Sequence, residues 1–520
     1  MIQTVKIYPP IGIARLGRSA DGYFIGPERP DEVILPPGGF RDATGLIKRQ
    51  AARFHLFGYD ENNNLVKEIT SNDADLIGWT VHIANTKAAA EFFHPKSETN
   101  PRMRNAGFEG DRNQLKLDPG PSRVSGANAD FADLSKSRTS GMAKDIVINQ
   151  QFLNQPVRIV LGTITTDDRG LLLVLGGHGE SKSPIGADLS GGDFADHDGW
   201  YDDVSDGLIS VTVRLKDGTT PATANAWVIV APPKYAPGLQ SVVSLYDTLF
   251  QAAIDRNLAP SPFAAPNFKP SLATDILPIL TRAANMRWVH NNGQPQFAPT
   301  GFHHTFSQLP PTNRLLIFKM LSVPSTTAGN PGSGKGTMPK MWSDLYPDGP
   351  NGTLTQTQYK MLEMWKDGSF IPGNPPSPQA PISPEGLTRA ALNPCVGGPF
   401  FPGIEASWKI RDVFPFVEPF RLDASQMQPG DVSSQMSLPW QSDFLDCAVE
   451  SGNAGTELVW WPAQRPINVL MPGGNAYIPW ARISDSDFSE MSVDQMITDW
   501  LKLGFVLEQA NGEYAEVDRA

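Results

Sequence analysis

Asp443, Cys447 and the tryptophan pair Trp460-Trp461 stand close together in the second half of this chain. A thiol, an indole and a carboxylate are the raw materials of a quinone built from the protein itself. The run reads Asp443-Phe-Leu-Asp-Cys447, then a loop, then Trp460-Trp-Pro-Ala-Gln-Arg-Pro466. If the first segment is helical, positions four apart share a face, so Asp443 and Cys447 project into one space while Asp446 turns aside. An extended segment would separate them. In a strand Trp460 and Trp461 face opposite ways, so only one of them can meet Cys447. The bland alternative is that Cys447 is a small buried hydrophobe and both indoles are core. Residue types and spacing leave the two readings open.

The elements that must position these residues change along the chain. Gly and Pro, 47 residues each, exceed their usual combined share of roughly 12% and cut the chain into short segments. Val157–Leu161, Leu171–Leu175, Leu208–Val213 and Ala226–Val230 are short aliphatic or β-branched runs bounded by turn formers, which predicts strands. Apolar residues recur at three and four in Val242–Ala253, Asn313–Leu321, Thr355–Lys366 and Ser492–Leu503, which predicts helices. No βαβ rhythm links them. The expectation is an α+β fold with a β-rich N-terminal half, a mixed, helix-bearing C-terminal half and long lid-like loops. Prolines cluster near Asn257–Pro270, so the expected domains are residues 1–265 and a quinone-bearing catalytic domain, residues 266–520. Phe92–Arg112, Ser322–Lys340 and Gly373–Pro394 are rich in Pro, Gly, Ser and Asn but carry apolar anchors, and read as lids over a buried site.

Composition excludes several functions. The 43 basic and 55 acidic residues give a formal charge of −12, and the basic residues are scattered, which argues against nucleic acid or anionic lipid as a partner. No apolar run is long enough to span a bilayer. The N-terminus lacks the charged and apolar regions of a secretion signal, so the expectation is a cytoplasmic protein, with export by a signal-less route left open. Cys395 and Cys447 are the only cysteines, too few for a disulfide framework or a four-thiolate metal site.

Three motifs look functional and read otherwise. Gly329–Lys335 has the spacing of a phosphate loop, but Gly336 stands where Ser or Thr would hold Mg²⁺ and Pro339 would stop the helix that should follow. Asp193–Gly207 holds enough carboxylates for Ca²⁺, yet its spacing fits no EF-hand, and Asx turns tying strands together are the expectation. His303 and His304 are adjacent, so on a strand their rings cannot chelate one ion.

Longer motifs resemble a family. Pro9-Pro-Ile-Gly-Ile-Ala-Arg-Leu-Gly17, Phe24-Ile-Gly-Pro-Glu28, Ile47–Phe54, Trp79–Asn85, Asp198–Gly207, Val396–Glu405, Leu438–Cys447 and Trp461–Pro466 are similar to the LodA-like amino acid oxidases. These are the lysine ε-oxidases and glycine oxidases that bear cysteine tryptophylquinone, and the likeness spans nearly the whole chain. It implies that Cys447 supplies the sulfur and Trp461, rather than Trp460, becomes the quinone. Asp443 matches the aspartate needed for quinone formation and assigned as base in turnover. Cys395 joins Asp443 among the implied catalytic-site residues, at a position where the lysine oxidase has cysteine and a glycine-oxidising member has histidine. That tilts specificity away from glycine.

The implied chemistry follows from the cofactor. A quinone carbonyl is an electrophile for a neutral primary amine, and a carboxylate beside it must take the proton from the carbon bearing that amine. Hydrolysis then frees an aldehyde or keto acid, and O2 reoxidises the reduced cofactor with release of ammonia and hydrogen peroxide. An amino acid also needs a clamp for its carboxylate, and no arginine stands out in the sequence. The resemblance further implies a companion flavoprotein for quinone maturation and a homo-oligomer. The rival readings are an oxidase of a non-amino-acid amine and a family member without catalysis.

Overall fold

The computed structural model describes residues 1–91, 102–127, 143–189, 195–289, 309–324, 338–339, 341, 352–375, 377, 379–398, 402–412, 415–446, 465–474 and 476–520. Among them, strands of the N-terminal half form one 13-stranded sheet. Its main path runs Ser122–Ser125, Ala74–Ala84, Ser205–Leu215, Ala226–Ala231, Ile11–Arg15, Arg49–Tyr59, Leu172–Gly176, Gln155–Thr166 and Lys144–Phe152. Ala226–Ala231 is buried at every position between an antiparallel and a parallel neighbour, which is why it reads as an unbroken apolar run. Ser205–Leu215 instead alternates in its second half, with Val211 and Val213 inside and Thr212 and Arg214 exposed. Arg49–Tyr59 is the branch point, pairing also with Thr4–Tyr8, Tyr23–Ile25 and Leu65–Ile69.

Beyond the sheet the chain turns helical. Leu245–Asp255 starts at Ser244, whose hydroxyl accepts from the Asp247 amide while the Asp247 carboxylate accepts from the Ser244 amide. The same reciprocal cap opens Gln356–Lys366 at Thr355 and Val493–Asp499 at Ser492. Gly373–Pro394, expected as a lid loop, contains the helix Pro384–Leu392: Ser383 caps the Gly386 amide, and Pro384 occupies the first helical position, where its missing N–H costs nothing. Of the other two expected lids, residues 92–101 and most of 322–340 lie outside the described residues, as do the Gly329–Lys335 motif, His303 and His304. Among the described residues the large sheet's last strand ends at Ala231 and the first α-helix begins at Leu245, ahead of the proline cluster Asn257–Pro270, and buried residues from Val5 to Val506 on both sides of that change belong to one core cluster. The C-terminal hairpin Phe505–Glu508 with Tyr514–Val517 returns to the first half, where the Val506 amide donates to the Tyr235 carbonyl at 2.7 Å.

The acidic segment joins the two halves. Asp206, fully buried, accepts at Oδ2 from Trp227 Nε1 (2.8 Å) and the Val432 amide (3.2 Å), and at Oδ1 from the Ser433 amide (2.8 Å) and hydroxyl (2.6 Å). Burial lifts its carboxyl to about 6 against the pull of those bonds. Arg104 bonds Asp196 Oδ1 and the Ala195 and Met436 carbonyls, each at 2.8 Å. Lys87 Nζ reaches Asp202 Oδ2 at 2.5 Å and the Ser437 carbonyl at 2.8 Å, and the same Asp202 oxygen accepts from the Trp440 amide at 2.9 Å. Asn85 Nδ2 holds the other Asp202 oxygen at 2.8 Å. The expected Asx turn is present, with the Val204 amide donating to Asp202 Oδ1 at 3.2 Å, but the longer reach to residues 432–440 matters more.

A second buried cluster lies at the branch strand. His55 reaches Glu28 Oε1 through Nε2 (2.7 Å) and Glu68 Oε1 through Nδ1 (2.6 Å), while Arg53 pairs with Glu28 and Asp167. Burial alone would raise the Glu28 carboxyl, but His55 and Arg53 hold it down at about 2, against 4.5 unperturbed.

Two outcomes are expected. Asp202→Asn leaves Lys87 buried without its counter-charge and should cost about 3 to 5 kcal/mol in urea unfolding. Adding Lys87→Met should recover part of that loss, and equal, additive losses in the cycle would exclude the pairing. For Glu28 the folded value lies below the unfolded one, so its stabilisation is full above 4.5 and vanishes as pH falls toward 2. Glu28→Gln should therefore lose about 3 kcal/mol at neutral pH. That deficit should shrink steadily in acid, and a pH-independent deficit would contradict the assignment.

Candidate active site

Helix Trp440–Asp446 carries Asp443. Its start is fixed by Asp202 at the Trp440 amide, and the preceding residues are tied to the sheet segment by the Leu438 amide on the Ala195 carbonyl (3.0 Å) and the His197 amide on the Leu438 carbonyl (3.1 Å). Gln441 pins the helix flank: its Oε1 accepts from Ser181 Oγ at 2.6 Å and its Nε2 donates to the Gly179 carbonyl at 3.3 Å. Aromatic rings close the other side. Phe444 meets Trp440 at 5.2 Å, Tyr235 at 6.0 Å and Trp480 at 6.2 Å, and Trp440 meets Trp500 at 5.2 Å, mostly edge to face. Tyr235 Oη donates to the Trp500 carbonyl at 2.7 Å and Trp480 Nε1 to the Gly504 carbonyl at 3.0 Å, so the polar ends of these two side chains are satisfied.

Asp443 is 2% exposed, and Arg465 is 1% exposed. Arg465 Nη1 lies 2.6 Å from Asp443 Oδ1 and also donates to the Asp443 carbonyl. A buried carboxylate without a partner would cost several kcal/mol, and the Arg465 charge, whose Nη1 meets both the side chain and the backbone of Asp443, offsets it. The pair also fastens together the two flanks of residues 447–464. Cys447, Trp460 and Trp461 fall in that stretch and lie outside the described residues. Arg465 stood in the sequence only as part of a motif; a partner 22 positions away leaves no periodic trace.

Cys395 sits in a different cluster. Its thiol is free and fully buried, donates to the Ala391 carbonyl at 3.3 Å and lies 3.7 Å from Arg15 Nη2. Arg15 pairs with Glu405 at 2.9 Å, and the second Glu405 oxygen accepts from the Val396 amide at 3.0 Å. Burial pushes the thiol up, away from the nucleophilic thiolate. Its apolar neighbours, Ile11, Ile13, Trp227 and Leu245 among them, are separate from the cluster that holds Trp440 and Phe444. Asp443 is thus brought together with Arg465, and the contacts of Cys395 run to Arg15 and Ala391 instead.

Known proteins resemble this chain. Residues 8–230 match the family described as L-lysine epsilon oxidase N-terminal, and residues 350–463 match the L-lysine epsilon oxidase C-terminal domain. The L-lysine 6-oxidase of Marinomonas mediterranea is 27% identical over 86% of this chain and 72% of that protein. A structure of the ε-lysine oxidase from the same organism superposes with a TM-score of 0.77 at 22% identity, covering 99% of this chain and 95% of that one. The Schiff base intermediate of the same organism's L-Lys ε-oxidase with L-Lys gives 0.73 at 23% identity, over 99% and 95% of the two chains. These structures bear on the fold. Two successive regions of one family, matched in order along a chain that follows that fold from end to end, make this protein a member of the L-lysine ε-oxidase family.

Proposed function

We propose that this chain is a quinoprotein amino acid oxidase whose cofactor, cysteine tryptophylquinone, forms from Cys447 and Trp461, with Asp443 as the base. Membership of a family of amino acid oxidases supports an oxidoreductase acting on an amino acid with O2. The observation that carries the finer reading is the buried Asp443–Arg465 pair, which holds a carboxylate at the junction of the two flanks leading to Cys447 and Trp461. The residues fit a group made from the chain itself: a thiol and an indole in one stretch, closed off by an ion pair whose acid stands one helical turn before the cysteine in sequence.

When formed, the quinone supplies an electrophilic carbonyl for a primary amine and a sink for two electrons. Asp443 takes the proton from the carbon that bears the amine, and Arg465 aims and steadies the carboxylate while it does so. Trp440, Phe444 and Trp480 keep water from the flank of the helix, which preserves the strength of that pairing. The overall reaction converts amino acid, O2 and water into an aldehyde or keto acid, ammonia and hydrogen peroxide. Maturation by a companion flavoprotein and assembly into a homo-oligomer belong to the same reading. Cys395 bears on which amino acid is accepted.

A digest of enzyme matured with its flavoprotein should contain the Cys447 and Trp461 peptides joined and carrying the mass of the quinone oxygens, while Cys395 reacts with an alkylating agent after denaturation. A free Cys447 in active enzyme would exclude the cofactor; the mark on Trp460 would move it by one residue and keep the mechanism. Asp443→Asn preserves size and should fold, yet yield little quinone colour. Its turnover per quinone should fall by roughly 10² to 10⁴. Normal colour with wild-type turnover would remove both roles from Asp443.

A further inference from the structure

Two buried cations, Arg15 and Lys234, lie near one buried carboxylate, Glu405. Arg15 is 3% and Lys234 7% exposed, and Glu405 is fully buried. Arg15 takes Glu405 for itself at 2.9 Å and donates to the Pro232 carbonyl at 3.0 Å. Lys234 Nζ donates to the Pro394 carbonyl at 2.5 Å and, among the described residues, forms no ion pair. Both side chains line a cavity of about 60 Å³ whose apolar wall includes Leu16, Phe24, Ala391 and Pro394. That volume has room for a carboxylate and little more. One aromatic contact links the cavity wall to the helix of the proposed base: Tyr235, next to Lys234, packs its ring 6.0 Å from that of Phe444, next to Asp443.

We propose that Arg15 and Lys234 form a binding site for a small carboxylate. A buried ammonium held by a single carbonyl lacks compensation, and a carboxylate would supply both the charge and the missing acceptors. The carboxylate is either that of the amino acid substrate, which rests on the oxidase reading above, or that of a separate small acid. The groups facing Lys234 are Arg15, Glu405, Cys395 and Arg282, and their balance does not spare it. Burial, reinforced by the Arg15 charge, brings its ammonium down to about 7. A bound anion favours the protonated amine, so affinity is greatest below that value and declines as pH rises through it. Glu28, Glu32, Lys48 and Arg53 complete the charged lining. Two acids against two bases there leave the excess positive charge on the Arg15 and Lys234 side.

Thermal melting of the full chain in sodium acetate, against sodium chloride of equal ionic strength, tests the site without turnover. Acetate should raise the wild-type melting temperature, more below neutrality than above, and the increment should vanish in Lys234→Met and Lys234→Gln. In matured enzyme, Lys234→Met should raise KM for amino acids by roughly ten- to a hundredfold and leave KM for a simple alkylamine unchanged, if the ligand is the substrate's own carboxylate. Loss of the acetate effect with unchanged KM identifies a separate acid. An acetate effect equal in wild type and both variants, or absent in wild type with KM unchanged, overturns the proposal. Acetate binding by a chain that still lacks the cross-link after maturation with its flavoprotein would refute the oxidase reading and leave this site standing.

Discussion

Burying a carboxylate next to an aromatic wall is costly unless a counter-charge is buried with it, and the architecture around Asp443 follows from meeting that requirement. Arg465 comes from the far end of residues 447–464, so the charge that compensates Asp443 also returns the chain to the helix it left. The helix must in turn stay where Arg465 can reach it. Asp202 at the Trp440 amide and Gln441 on the turn after Leu172–Gly176 provide that, from the sheet side. Reach therefore passes from strand to helix to Arg465 through charged or amide groups.

The same principle explains how the β-rich half and the helix-bearing half stay in register. Contacts between them are specific and polar as well as apolar: Arg15 with Glu405, Lys6 with Glu418, Asp206 with Ser433, Lys87 with Ser437 and Arg104 with Met436. Apolar burial of a Val or Ile side chain contributes roughly 1.5 to 3 kcal/mol wherever it occurs, but it has no direction. Hydrogen bonds to a buried carboxylate do, and an unmatched one is penalised, so a sheet studded with internal acids admits few arrangements of the chain that crosses it. Asp206 serves four donors from three places in the sequence, Trp227, Val432 and Ser433 with its hydroxyl, and so fixes the approach to the helix well before Asp443 is reached.

Much of this was legible in the sequence, and what was not has a physical cause. Ala226–Val230 and Leu208–Val213 announced strands because β-branched runs between turn formers have few other uses, and apolar residues recurring at three and four announced the helices within Thr355–Lys366 and Ser492–Leu503. Asp443 lies on a helix, one of the two conformations that its spacing to Cys447 left open. Pro384 concealed a helix because a proline-dense stretch looks the same whether its prolines break helices or begin them. The acidic run was visible as composition, but its partners were not: Lys87 and Arg104 are more than 90 residues from the acids they meet, and no local pattern marks a basic residue for burial. Arg465 was hidden for the same reason.

Cys395 illustrates how a residue implied by resemblance takes on a different meaning once its surroundings are known. A thiol whose ionisation is suppressed by burial is a poor nucleophile, so its reactivity cannot be its contribution. What it offers is a small, weakly polar surface 3.7 Å from the guanidinium of Arg15, which is itself committed to Glu405. A histidine in its place would set a larger and more basic ring beside the Arg15–Glu405 pair, crowding the cavity wall at Pro394 and competing for Glu405. If the choice of amino acid runs through this position, it does so by altering the space and charge available around Arg15 and Lys234, and the cysteine selects by what it leaves room for.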